Sequence, residues 1–156
     1  PRSGATDYRG SRPRGGLPAS GGSAMRLTWL ALALVLQGGG SLSDAAERAK
    51  RSIMAHDAQA LVGQSSNVVL QIPGADPSSP LGKAQAIELL RRYLRPAEER
   101  GLDVTAIRVV ERGKGFIEIT RRYVVSGTTE LRHETLYLGY RLVDGEWRLA
   151  ELRSAP

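Results

Sequence analysis

The chain has 156 residues, 22 of them lysine or arginine against 16 aspartate or glutamate, and no cysteine, which leaves room for one domain and excludes disulfides, thiolate metal sites and thiol catalysis. The formal net charge of +6 would suit nucleic acid or an anionic membrane, but it sits at the front. Arg2, Arg9, Arg12, Arg14 and Arg26 precede residue 41 with a single acid, Asp7, so the remainder carries 17 bases and 15 acids, and no nucleic-acid partner is expected.

Residues 1–24, rich in Arg, Gly, Ser and Pro, read as a disordered or upstream, non-native segment. Residues 25–40 read as a signal peptide: Met25 and Arg26 open it, Leu27 to Leu36 is its apolar run, and Gly38 and Gly40 are the small residues of a cleavage site. The run is shorter than the roughly 20 residues that a membrane span needs. An exported product, periplasmic or secreted, follows, with no stable membrane insertion once the signal is removed. Residues 41–156 form the domain.

Ser43 and Asp44 are the N-cap candidates of a first helix through Ala46, Ala49 and Ile53. His56 and Asp57 interrupt it, and Asp57 caps a short helix, Ala58 to Val62. Asn67 to Ile72 is a short strand, Pro73 to Gly82 a Pro-rich loop, and Lys83 to Leu94 an amphipathic helix with Ala84, Ile87, Leu90 and Leu94 on its apolar face. Pro96 and Gly101 bound its tail. The next strand is expected from Val104 to Arg112, joined through Gly113-Lys114-Gly115, with Val109 opposite Ile117 and Ile107 opposite Ile119.

Two turns then set two hairpins. Gly127-Thr128 as a two-residue loop faces Ile117 with Leu138, Ile119 with Leu136, Arg121 with Glu134 and Tyr123 with Arg132. Asp144-Gly145 as a type I′ turn faces Leu142 with Trp147, Tyr140 with Leu149 and Leu138 with Glu151, and both registers put the same side inside. A bulge near Ala150 would instead turn Glu151 outward and bring Leu152 in. Helices first and antiparallel strands after them give an α+β fold, a cone-like curved antiparallel sheet wrapped around N-terminal helices.

This order, the Leu81-Gly82-Lys83-Ala84 entry to the last helix and the ending Asp144-Gly145-Glu146-Trp147-Arg148-Leu149-Ala150 resemble the nuclear transport factor 2-like superfamily. The likeness is to its small-polyketide-cyclase-like and ketosteroid-isomerase-like branches, and nearest to exported members of unknown function. It implies a pocket in the cone, with a carboxylate or His base and Tyr or Asp donors where the member is an enzyme. No position matches that set, and Asp44, Asp57, Asp76, Asp103 and Asp144 each sit at a cap, loop, strand start or turn.

The residues expected to bind a ligand are Arg121, Tyr123, Arg132, Glu134 and Tyr140, with Glu134 the one candidate catalytic group and Arg132 expected over the ring of Tyr123. The competing expectation is that the first four extend past the helices as solvated partners. His133 is expected on the outer face at the surface and His56 at a helix end, where the dipole favours an imidazolium; two separated histidines make no metal site, and no cofactor is implied. The outer face, with Val110, Phe116, Val124, Leu131 and Tyr137, has the mixed character of a homodimer interface. The function expected is an exported, non-enzymatic module binding a small molecule in the cone or a protein through its sheet. The alternative is an isomerase, dehydratase or hydrolase using a cone-pocket acid-base residue.

Overall fold

The computed structural model describes residues 15–16 and 40–156; the expected signal peptide and most of the segment before it lie outside the described residues. The first helix, α1 (Leu42–Met54), is capped by Ser41 rather than by Ser43 or Asp44. Asp44 serves as the third residue of a capping box, its carboxylate accepting from the Ser41 amide at 2.9 Å, so the helix begins two to three residues earlier than expected. Leu42, Ala45, Ala46, Ala49 and Ile53 bury one face. It ends in a Schellman turn, where His56 amide bonds the Ile53 carbonyl and Asp57 amide the Ser52 carbonyl, with His56 left-handed at φ +54°.

Asp57 caps α2 (Ala58–Val62) through the Ala60 amide. Strand β1 (Asn67–Gln71) follows, and Leu81–Gly82, expected as the end of a loop, pairs back on it as β2. Helix α3 (Lys83–Leu94) buries Ala86, Leu90 and Leu94, while Ala84 is exposed. Its apolar face is rotated from the expected one.

Four long strands follow: β3 (Ala97–Glu111), β4 (Lys114–Val125), β5 (Leu131–Val143) and β6 (Glu146–Ala155). The sheet order is β2-β1-β6-β5-β4-β3, antiparallel except where β1 runs parallel to β6. β4 and β5 pair in the expected register, Arg121 opposite Glu134 and Tyr123 opposite Arg132. Their connection differs: the Thr128 amide bonds the Val125 carbonyl at 2.9 Å and Gly127 takes φ +82°, so the turn is centred on Ser126-Gly127. The lengthened loop leaves the pairing unchanged.

Asp144 and Gly145 both take positive φ, as a type I′ turn requires, and Leu142 faces Trp147. The register then shifts between Gly139 and Tyr140, so Leu138 faces Leu152 and Gly139 faces Glu151. Ala150 is the extra residue, Leu152 is buried, and Glu151 joins the outer row.

β3 departs most from the sequence reading. It starts at Ala97, and Ile107 faces Ile117 while Val109 faces Gly115. Bulges at Arg100, Thr105 and Val110 absorb the offset. Ile107 and Val109 on β3, and Leu142 near the β5–β6 turn, all expected inside, are 41%, 64% and 44% exposed. Val124, expected outside, is buried. Gly115 lies under α1, where a Cβ would come within 2.5 Å of Leu42 Cδ2.

Candidate functional site

The inner face of the sheet places a charge in the core. Ile117, Ile119 and Arg121 alternate inward on β4, and Arg121 is only 1% exposed. The expectation of solvated partners therefore fails: α3 and the first half of β3 close over this position. The Arg121 guanidinium grips Glu99 of β3, with Nε at 3.0 and 2.9 Å from its two oxygens and Nη2 on Oε1. Nη1 donates to Glu134 of β5, the cross-strand pair expected from the turn.

Tyr93 of α3 donates to the same Glu134 oxygen at 2.6 Å, and His56 lies with Nε2 3.2 Å from Glu99. The side chains of Glu99 and Glu134 are 3% and 10% exposed. Burial opposes the charge on Arg121, yet its bonds to Glu99 and Glu134 hold its pKa above the ordinary arginine value. Burial, then the bond to Glu134, pushes the Tyr93 phenol up. The same guanidinium stacks 4.4 Å from the Tyr123 ring. Arg132, expected there, is exposed and binds Glu130.

Glu134 Oε1 thus accepts from both Arg121 and Tyr93, an arrangement that satisfies a buried carboxylate and engages the oxygen a base would use. Glu99, Tyr93 and His56 were not found by sequence reasoning. Counting from Ala86 rather than Ala84 in turns of 3.6 residues would have carried the inward face of α3 to Tyr93. His56 stands just past the end of α1, as expected, and its left-handed backbone turns the ring toward Glu99; His133 is exposed opposite Arg122 as expected.

Tyr140, the fifth expected ligand residue, stands apart from this cluster, 6% exposed, its phenol pushed up by burial. It borders a cavity of about 60 Å³ with Trp147 and α1, and it also lines a larger groove on the far side of the sheet. Larger spaces lie elsewhere: one of about 340 Å³ is bordered by α2, Gly63 and Lys83, and two lie on the other side of the sheet. A groove of about 380 Å³ and one of about 210 Å³ flank Phe116, with Val110 bordering both. Among the described residues no group of three His, Asp or Glu could hold a metal ion, and no helix is long and apolar enough to cross a membrane.

No family model matches the sequence, and no curated protein matches it. Solved structures do match in shape. A ketosteroid isomerase-like protein from Erwinia carotovora atroseptica superposes with a TM-score of 0.61 at 15% identity, over 77% of this chain and 98% of that one. DUF4783 family proteins from Bacteroides ovatus and Bacteroides fragilis superpose at 0.56 and 0.52, with 13% and 16% identity, each over 69% of this chain and 90% and 93% of theirs. The chain therefore has the nuclear transport factor 2-like fold, a cone of α+β type with an open, mixed six-stranded sheet. At these identities the likeness establishes fold alone.

Proposed function

We propose that the chain is an exported, non-enzymatic binding module whose working surface is the outer face of its sheet. The observation that carries this is where the space lies. Inside the cone, Arg121 and its carboxylates occupy the polar end, and the cavity between Tyr140, Trp147 and α1 measures about 60 Å³. Outside, Phe116 stands 43% exposed between grooves of about 380 Å³ and about 210 Å³. Export is supported by the Met25 to Gly40 pattern.

Native mass spectrometry of protein recovered from the export compartment tests this. A bound molecule or partner is expected, lost in Phe116→Asp and kept in Glu134→Gln. The enzyme alternative, with Glu134 as the acid-base group, requires the reverse: turnover that disappears in Glu134→Gln and survives Phe116→Asp.

A second reading has a specific observation behind it. Arg108, Phe116, Gly139 and Glu151 pair in one transverse row across four strands. A two-fold axis along the strands would lay Phe116 over the second copy's side-chain-free position and set Arg108 against its acidic end. On that reading the native mass is a dimer's, and Phe116→Asp halves it.

A further inference from the structure

We propose that the larger outer-face groove is a site for a small amphiphilic carboxylate, its flat apolar body lying on Gly139 against the Phe116 ring and its carboxylate held by Arg141 and Lys114. This rests on the outer-face reading above and names the ligand class. The groove, about 380 Å³, lies within the range of pockets that hold small ligands, roughly 300–1,000 Å³. Its floor is open because Gly139 has no side chain. A Cβ there would lie 3.4 Å from both Phe116 Cε1 and Glu151 Cβ, so the ring and the carboxylate stem border the gap. Val69 and Val110 add apolar wall.

The two ends of the groove differ in charge. At one end stands the Glu151 carboxylate, which accepts from the Gln71 side-chain amide at 3.1 Å and repels a ligand's anionic group by like charge. At the other, Glu111, Lys114 and Arg141 are neighbours across β3, β4 and β5 and line the groove. Lys114 binds Glu111 at 2.7 Å. Arg141 has no ion-pair partner among the described residues, and two cations there face one carboxylate. An anionic group completes that row, and a guanidinium fork suits a carboxylate in particular.

Isothermal titration of the full chain with 2-naphthoate and its neutral isostere 2-naphthamide, at matched ionic strength, tests the assignment. Naphthoate is expected to saturate one site per chain. Naphthamide with the native chain, and naphthoate with Arg141→Gln, are each expected to bind roughly tenfold more weakly. Gly139→Val, which fills the floor, and Phe116→Asp should lose the site, while Arg91→Gln, exposed on α3, leaves it unchanged. Arg141 and Phe116 are exposed, so these variants keep the fold, which a thermal midpoint verifies. Absence of saturation, equal binding of acid and amide, or an unchanged Arg141→Gln overturns the proposal. If naphthoate fails while Phe116→Asp still releases the natively bound molecule or partner, the ligand class falls and the outer-face reading stands; if Phe116→Asp changes neither measurement, both fall.

Discussion

Arg121 is buried because its strand neighbours fix its direction: Ile117 and Ile119 point inward, and a residue two further along must follow them. Its charge is tolerable there only with Glu99 and Glu134 on either side. Arg121→Met leaves two carboxylates facing each other in the core, and a loss of about 3–5 kcal/mol in urea unfolding is expected. Half of this cluster was legible in the sequence. The turn fixed Arg121 opposite Glu134, but Glu99 belongs to a strand whose early residues, Glu98, Glu99, Arg100 and Gly101, carry no strand preference and are held by pairing with β4. His56 was hidden for a different reason, since a left-handed residue at a helix end does not follow helical spacing. The two phenols add a pH dependence. Tyr93 and Tyr140 keep their protons in the folded state above the ordinary tyrosine value of 10.0, whereas the unfolded chain releases them there. Stability is therefore full below about pH 10 and falls as pH rises beyond it. Urea midpoints at about pH 8 and about pH 11 should differ more in the native chain than in Tyr140→Phe.

Helix α1 and strand β4 fit because one residue has no side chain. Gly115 sits where a Cβ would meet Leu42 Cδ2 at 2.5 Å, and α1 cannot move off without uncovering Ala45 and Ala49. Gly115→Ala is expected to cost about 1–3 kcal/mol by denaturant unfolding, with part recovered in combination with Leu42→Ala. This contact joins two elements far apart in sequence, so nothing local announces it. Turn chemistry and alternation, by contrast, are local, and they made the β4–β5 and β5–β6 pairings readable. The bulge at Ala150 was legible as an alternative because Glu151 had no reason to be inside. The three bulges of β3 were not, since Gly113-Lys114-Gly115 admits more than one loop and each loop sets a different register.

Across the whole molecule the charge is divided between a basic front and a nearly balanced domain. The export reading predicts a product beginning between residues 37 and 41, seen by intact mass, and binding a cation exchanger more weakly than the uncleaved 156-residue chain, which carries five further arginines against one further aspartate. The overall architecture was legible because helices first and hairpins after leave few ways to bury their apolar faces. The position of the working surface was not, because it depends on how much of the cone its own side chains fill. Finally, β3 is the last strand of the sheet, and Arg100, Thr105 and Val110 interrupt its ladder. A strand broken three times offers no continuous row of backbone groups to a newcomer. Growth by adding strand to strand, which repeats without end and yields fibres, is thereby blocked on that side. Joining face to face stops at two, so this border favours finite assemblies over polymers.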